Sequence, residues 1–257
     1  MTYRQSFAWW SFTTDAENPA LLDSAAEIGY QGVDFLPQDH WNRARDVGLE
    51  LTIIDGHISL EVGFNDRANH TDLADEVRRN LELAVKAGVP GLAVNAGNRG
   101  AASDADAVGI CAEGLAPLAA EAAAAGVTLL LEPLNSKVDH VGNQCDHTAW
   151  AASVVDAVAS PGLRLLFDAY HMQLMEGDLL RTMETHLDRI AHVHTAGVPG
   201  RHDLDDRQEV NWRSIAHLLH DRGYGGYVAH EFIPRADPVA ALRTAYAIFD
   251  EPMSAQL

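Results

Sequence analysis

Short apolar segments alternate with longer helical segments eight times along the chain, and this alternation restricts the possible folds more than any other feature. The predicted strands cover residues 7–12, 32–36, 51–55, 91–97, 127–132, 163–168, 190–194 and 226–232. The longer predicted helices cover residues 71–87, 103–125, 146–159, 177–188, 211–222 and 238–249, with Thr71 as the expected N-cap of the first. This repeat predicts an α/β fold with one (β/α)8 barrel domain over residues 1–257. The main alternative, an open doubly wound sheet, needs a glycine-rich phosphate turn after the first strand, and the sequence has none there.

Charge and cysteine content narrow the expected partners and compartment. The chain has 37 acidic and 18 basic residues and a formal net charge of −19. Because such a surface repels phosphate backbones, we expect no nucleic-acid partner. Charges interrupt the apolar runs before about 18 residues, and the N-terminal segment lacks a secretion signal, so we expect no membrane span. Cys111 and Cys145 are far apart and make no CxxC motif, which favours a reducing, cytoplasmic location.

Four consecutive predicted strands each end in a residue type that binds metals. The fifth to eighth strands end in Glu132, Asp168, His194 and Glu231, at spacings of 36, 26 and 37 residues. In a (β/α)8 barrel the chemistry is placed at the carboxyl ends of the strands, and neighbouring strands lie about 4.8 Å apart. We therefore expect these side chains to converge on one ion. Three carboxylates and one imidazole favour Mg²⁺ or Mn²⁺, with Co²⁺ as a further option, over a structural Zn²⁺.

Four motifs of the sequence are LEPLNSKVD (131–139), FDAYHMQLMEGDL (167–179), VPGRH (198–202) and HEF (230–232). They resemble the hydroxypyruvate isomerase family of the xylose-isomerase-like barrel superfamily. The resemblance implies a metal-dependent enzyme that interconverts hydroxypyruvate, or a similar small substrate, with its aldehyde isomer through an enediolate. Glu132 and Glu231 are then the expected catalytic carboxylates, which move the proton. The resemblance also implies that His171 contacts a substrate oxygen and that the chain forms a homodimer or homotetramer.

One residue departs from this family pattern. Hydroxypyruvate isomerases usually carry glutamine, in an H-x-Q motif, where this chain has His194 in HVH. A histidine at this place resembles the ketose 3-epimerases of the same superfamily, which act on free sugars. The departure leaves open isomerisation, epimerisation and, less favoured, dehydration on the same scaffold.

Further polar residues near the predicted rim are candidates for substrate binding. Arg201 and His202 follow the seventh predicted strand, and the planar fork of an arginine matches a substrate carboxylate. Asn135, Lys137 and His57 are weaker candidates, because a structural or solvated role explains each of them about as well.

Other residues and activities are less favoured by the sequence. Trp9 and Trp10 lie on the first predicted strand, and alternation along the strand places one of them toward the barrel interior, where it is a candidate for the pocket wall; core packing is the simpler interpretation for both. Cys145 has no paired base in view and is not expected to be a nucleophile. A phosphodiesterase acting on nucleic acid would need further His and acidic ligands on the second to fourth strands, and the net charge opposes it. A non-catalytic sugar-binding barrel would be expected to have lost one ligand, whereas all four are present.

Overall fold

Nine parallel strands form one sheet that curls into a barrel surrounded by helices. The computed structural model describes residues 3–13 and 18–254. The strands are β1 (Arg4–Ala8), β2 (Gly32–Asp34), β3 (Glu50–Leu51), β4 (Ile53–Asp55), β5 (Gly91–Val94), β6 (Thr128–Leu131), β7 (Leu163–Asp168), β8 (Ile190–Thr195) and β9 (Tyr227–His230). Their order in the sheet is β3-β2-β1-β9-β8-β7-β6-β5-β4.

Helices connect the strands and cover the outside of the sheet. They are α1 (Trp9–Phe12), α2 (Ala20–Ile28), α3 (Trp41–Asp46), α4 (His70–Ala87), α5 (Asp104–Ala124), α6 (Thr148–Val158), α7 (Ala169–Met175), α8 (Leu179–His186), α9 (Trp212–Asp221) and α10 (Pro238–Ser254). Two short 3₁₀ helices, Gln38–His40 and Arg67–Asn69, precede α3 and α4.

The barrel closes through an interruption at Thr52, which separates β3 from β4. The backbone N of Thr52 donates to Val33 O at 3.1 Å, and the N of Phe35 donates to Ile53 O at 2.9 Å. Backbone pairing therefore passes from β2 to both parts of the interrupted strand. β3 and β4 together occupy one strand position, so the sheet has the eight strand positions of the predicted (β/α)8 barrel.

Alternation along the strands determines which side chains face the barrel interior. Ile53, Ala93, Leu130 and Leu166 form a small apolar cluster that is separate from the main core between sheet and helices. Successive side chains of a strand point to opposite faces, so residues two positions apart share a face. Glu132 and Asp168 lie two residues beyond Leu130 and Leu166. Glu132 and Asp168 therefore face the barrel interior, just beyond the apolar cluster, at the carboxyl ends of their strands.

The structure corrects two predicted element boundaries, the end of the first strand and the start of helix α4. β1 ends at Ala8, and Trp9–Phe12 forms a helical turn where the first strand was predicted to continue to residue 12. The hydroxyl of Ser11 donates to the O of Ala8 at 3.0 Å. Apolar periodicity does not distinguish a single helical turn from a short buried strand. The prediction of Thr71 as an N-cap was also wrong, because α4 starts one residue earlier, after Asn69.

The connection from β7 to β8 contains two helices where one was predicted over residues 177–188. Helix α7 starts directly after Asp168, whose carboxylate accepts a hydrogen bond from the N of Tyr170 at 2.8 Å. Gly177 then separates α7 from α8, with a φ of 64° in the left-handed region that glycine adopts easily. The carboxylate that ends the strand thus also caps the helix that follows it.

Helix α5 contradicts the expectation that no apolar segment reaches membrane-spanning length. Its 21 residues are long and apolar enough to cross a bilayer by length and composition alone. In the structure α5 packs with α4, α6 and β6. Cys111, Leu115 and Leu118 are fully buried in these contacts. Packing against these neighbours in the outer ring of the barrel thus accounts for the apolar composition of α5.

Candidate metal centre

The four predicted ligands lie at one rim, on four adjacent strands. Glu132 follows β6, Asp168 ends β7, His194 lies near the end of β8, and Glu231 follows β9. Because the sheet order is β9-β8-β7-β6, the two glutamates are at the ends of this arc. Each residue offers one ligand atom, and these atoms all lie within 4.8 Å of one another. The structure thus brings together all four residues that the strand ends indicated.

The imidazole of His194 is oriented as a metal ligand. Its Nε2 lies 3.1 Å from Oδ2 of Asp34, so Nε2–H donates to that carboxylate and Nδ1 keeps a lone pair. Nδ1 is buried and makes no hydrogen bond with the part of the chain that the structure describes. It lies 3.6 Å from Oε1 of Glu132 and 3.1 Å from Oε2 of Glu231. A cation bound among these oxygens would accept the lone pair of Nδ1.

The charges in the cluster also fit a bound cation. Burial raises the pKa of Asp168 to about 7, although Arg201 partly opposes this rise. Burial also acts against ionisation of Glu231, but His194 and Arg201 outweigh it and hold the pKa of Glu231 well below its usual range. Three carboxylates, including Glu132, thus face a single permanently charged cation, the guanidinium of Arg201. Since unpaired buried charges are costly, this oxygen-rich donor set fits a divalent ion such as Mg²⁺ or Mn²⁺.

Arg201 reaches into the cluster from the loop after β8. Its Nη2 lies 2.5 Å from Oε2 of Glu231 and 3.4 Å from Oδ2 of Asp168. Its guanidinium carbon lies 5.2 Å from the ring centres of both Trp10 and Tyr170. The backbone of Arg201 has a φ of 56°, a left-handed conformation that is uncommon for arginine. Packing therefore holds a strained backbone in the conformation that directs this side chain to the ligands.

His171 is oriented to donate a hydrogen bond into the site. Oδ1 of Asn135 accepts from the backbone N of Val138 and of Asp139, both at 3.0 Å. The amide Nδ2 of Asn135 then faces Nδ1 of His171 at 2.6 Å, so Nδ1 accepts and Nε2 carries the proton. Nε2 is buried without a hydrogen bond to any described residue and lies 3.4 Å from Oδ2 of Asp168. Burial lowers the pKa of His171 well below its usual range, which keeps the ring neutral.

The remaining predicted substrate contacts are engaged in other bonds. Lys137 Nζ donates to two backbone carbonyls at the end of α7, at 2.7 and 3.3 Å. His202 Nδ1 donates to the O of Ile233 at 2.8 Å. His57 Nε2 accepts from the N of Asn95 at 2.9 Å, while its Nδ1 is buried without a hydrogen bond to the described chain. These contacts favour structural roles for Lys137 and His202, and they leave one nitrogen of His57 available near the rim.

Comparison with known proteins places the barrel in a family. Residues 22–250 match the model of the xylose isomerase-like TIM barrel family. The chain belongs to this family. A putative hydroxypyruvate isomerase of Homo sapiens is 28% identical over 264 residues, which cover 94% of this chain and 93% of that protein. A 2-oxo-tetronate isomerase of Cupriavidus necator is 35% identical over 130 residues, 51% of this chain and 49% of that protein.

A solved structure shows the same fold for this xylose isomerase-like barrel. A crystal structure described as an AP endonuclease of family 2 from Brucella melitensis superposes with a TM-score of 0.83. The two chains are 24% identical, and the match covers 93% of this chain and 96% of the other. The predicted fold is thereby confirmed, and the family match over residues 22–250 confirms the resemblance to this superfamily.

Two residues of this xylose isomerase-like barrel lie in the site although they were not among the predicted site residues. Core packing was the favoured interpretation for Trp10, but its side chain is 39% exposed and its Nε1 donates to Oε1 of Glu231 at 2.8 Å. Trp9 is buried, as core packing predicts. Asp34, at the end of β2, contacts the imidazole of His194. The second strand was predicted over residues 32–36, with Asp34 inside it, whereas the observed β2 ends at Asp34, so the rule of strand-ending carboxylates did not select this residue.

Proposed function

We propose that this chain is a metal-dependent isomerase that interconverts hydroxypyruvate, or a similar short 2-keto-3-hydroxy acid, with its aldehyde isomer. The observation that carries the proposal is the buried convergence of Glu132, Asp168, His194 and Glu231 beside Arg201. Relatives that are named as isomerases, the human and Cupriavidus necator proteins, agree with this class of reaction.

The four converging side chains would hold the ion through carboxylate oxygens and Nδ1 of His194. A divalent ion there supplies polarisation of a substrate carbonyl and stabilisation of the negative charge that develops on its oxygen. His171 donates its Nε2–H to a substrate oxygen, because this proton faces the site and makes no hydrogen bond with a described residue.

Glu132 and Glu231 move the proton between C3 and C2 of the substrate. The C3–H bond breaks as a glutamate takes the proton, and a new C2–H bond forms when a proton returns, while the hydroxyl proton passes from O3 to O2. Trp10 and Arg201 each hold one oxygen of Glu231. The side chain of Glu132 is 12% exposed, against 6% for Glu231. We therefore assign the first proton abstraction to the less restrained carboxylate, that of Glu132.

Arg201 is the cation best placed for a substrate carboxylate. Its guanidinium carries five N–H donors, and its bonds to Glu231 and Asp168 use only part of them. The rings of Trp10 and Tyr170 fix the plane of the guanidinium between them. A two-point contact with a carboxylate would then set the orientation of a three-carbon acid.

Epimerisation of a free ketose at C3 is a second candidate. His194 favours it, because glutamine is usual at this place in the hydroxypyruvate isomerases. A cavity of about 490 Å³ beside β2 and β4, lined by residues that include Phe35, Asp55 and Asn80, offers room for a longer hydroxylated chain. One of these lining residues, Phe35, also packs against His194, with a ring-centre distance of 6.1 Å. In this reaction the two glutamates would act on opposite faces of one carbon.

Proton NMR in D₂O with Mn²⁺- or Mg²⁺-loaded protein distinguishes these activities. Samples would be quenched and the metal removed before spectra are recorded. The substrates are hydroxypyruvate, tartronate semialdehyde, erythrulose, fructose and tagatose. Conversion of hydroxypyruvate to its aldehyde isomer, with deuterium entering the carbon chain, is the expected result. Deuterium at C3 of a ketose, with no change in hydroxypyruvate, would replace the isomerase proposal by the epimerase. Absence of exchange in all five compounds would overturn both.

A further inference from the structure

A second group of ionisable residues lies next to the metal cluster, inside the barrel. It consists of Asp34, His192 and His194, and all three side chains are buried. Asp34 ends β2, whereas the two histidines lie on β8, and β1 and β9 separate these strands in the sheet. The contact between them therefore crosses the interior of the barrel.

Both oxygens of the Asp34 carboxylate accept hydrogen bonds. Oδ2 accepts from Nε2 of His192 at 2.7 Å and from Nε2 of His194 at 3.1 Å. The other oxygen, Oδ1, accepts from the hydroxyl of Thr52. Asp34 is thus a fully buried carboxylate whose oxygens are engaged by two histidines of β8 and by Thr52.

The bond to Asp34 decides which nitrogen of His194 faces the metal cluster. A neutral imidazole carries one proton, and the nitrogen without it provides the lone pair. Because Asp34 accepts from Nε2, the lone pair is on Nδ1, the atom near Glu132 and Glu231. Carboxylates that accept from the remote nitrogen of a metal-binding histidine fix the ring and raise its basicity.

Phe35 restrains the same imidazole from a second direction. Its ring is packed edge-on against His194, with a ring-centre distance of 6.1 Å and an interplanar angle of 76°. The backbone of Phe35 has a φ of 53°, which is strained for an aromatic residue. The end of β2 thus contacts His194 by a hydrogen bond from one residue and by ring packing from the next.

The geometry points to Asp34 as a positioning residue that holds His194 in its metal-binding tautomer and orientation. This inference rests on the proposed metal-dependent function, since it requires that His194 binds the ion. It assigns a role in the site to β2, which contributes none of the four ligands. In this role Asp34 would act on the ion through His194, with which its carboxylate is in contact.

Metal affinity of the Asp34→Asn variant tests this role. Asparagine keeps the size of the side chain but replaces the carboxylate with a single carbonyl acceptor for two histidines. Binding of Mn²⁺, followed by electron paramagnetic resonance of the free ion, should weaken by about 10- to 100-fold. The matched control is Asp146→Asn, which alters a buried carboxylate bonded to Ser136, His147 and Arg99 and to none of the four ligands. Its affinity should equal that of the unmodified protein.

A nitrogen NMR experiment on the unmodified protein tests the same role without relying on the folding of a variant. Long-range proton–nitrogen spectra of the Mg²⁺-saturated protein report which imidazole nitrogen carries the proton, and the His194→Gln variant identifies the signal. A proton on Nε2 of His194 supports the inference. A proton on Nδ1 overturns it.

The outcomes separate this inference from the proposed function. Equal Mn²⁺ affinity in Asp34→Asn and in the unmodified protein would overturn the role of Asp34 and leave the metal-dependent function intact. Absence of Mn²⁺ binding to the unmodified protein would overturn both. Equal weakening in Asp34→Asn and Asp146→Asn would assign the loss to general destabilisation and reject a positioning role.

Discussion

The indole Nε1 of Trp10 donates a hydrogen bond of 2.8 Å to Oε1 of Glu231. The bond joins the first helical turn of the barrel to the end of its last strand. The other oxygen of Glu231 lies 2.5 Å from Nη2 of Arg201. The orientation of this carboxylate is therefore fixed at both oxygens, while Trp10 also faces the guanidinium that fixes it.

Replacement of Trp10 by Phe should slow turnover more than it weakens metal binding. The variant keeps a ring over Arg201 but loses the hydrogen bond to the Glu231 carboxylate, and bonds to charged groups contribute about 1.5–3 kcal/mol. We expect kcat to fall by about tenfold or more, with Mn²⁺ affinity close to that of the unmodified protein. Trp150→Phe is the control, because its indole bonds to a backbone carbonyl away from the cluster. Unchanged kcat in Trp10→Phe would show that the bond has no part in the reaction.

Glu132→Gln and Glu231→Gln should each abolish measurable isomerisation while the fold is retained. Glutamine is close to isosteric but cannot accept a proton at neutral pH, and general base catalysis contributes about 10²- to 10⁴-fold. Turnover is measured by NMR, and folding by circular dichroism. Glu113→Gln is the control, since Glu113 is an exposed residue paired with Arg67 on the outer helices. A near-normal rate in either site variant, with full metal loading, would disprove the two-carboxylate mechanism.

Arg201→Lys should raise KM for an acidic substrate. Lysine keeps the positive charge but loses the planar fork and its packing between Trp10 and Tyr170. We expect KM for hydroxypyruvate to rise by about tenfold or more, the effect of losing one charged hydrogen bond. Arg207→Lys is the matched control, because Arg207 lies in the same loop and pairs with Asp205 outside the site.

A neutral ketose serves as the comparison substrate for Arg201→Lys. If this variant raises KM equally for hydroxypyruvate and for erythrulose, Arg201 does not recognise a carboxylate. A rise confined to the acid supports the assigned role.

Both cysteines should be unreactive in the folded protein. Burial raises the pKa of the Cys111 thiol to about 12 and that of Cys145 well above its usual range, so both stay protonated at pH 8. Only the thiolate reacts with disulfide reagents such as Ellman's reagent. We expect no release of the chromophore by the native protein at pH 8, and reaction of both thiols in guanidinium chloride. Rapid reaction of either thiol before unfolding would contradict the burial of these residues.

The ligand set was predictable because it depends on a regular geometric rule. Parallel strands bring their carboxyl ends to one rim, so the last residue of each strand is enough to place Glu132, Asp168, His194 and Glu231 near one another. The barrel of eight strand positions was likewise predictable from the repeated alternation of strands and helices. Neither prediction required knowledge of side-chain conformation.

The surroundings of the ligands were less predictable because they depend on local backbone geometry. The helical turn at Trp9–Phe12 carries Trp10 to the rim, and apolar periodicity does not reveal so short a turn. The left-handed backbone of Arg201 and of Phe35 is a tertiary effect with no marker in the sequence. Lys137 lies in a motif beside the site, but its ammonium group reaches the end of α7.

Closure of the barrel has a consequence for how the centre assembles. The ligands all come from β6 to β9, but the bonds that hold two of them come from Trp10 and Asp34, on the opposite side of the seam where β1 pairs with β9. A partly assembled chain can contain every ligand and still lack the orientation of Glu231 and His194. An ion that binds only the complete arrangement stabilises the closed ring by mass action. Occupancy of the centre would then report that the first and last strands of the chain, β1 and β9, have paired, and the bound ion would stabilise that pairing.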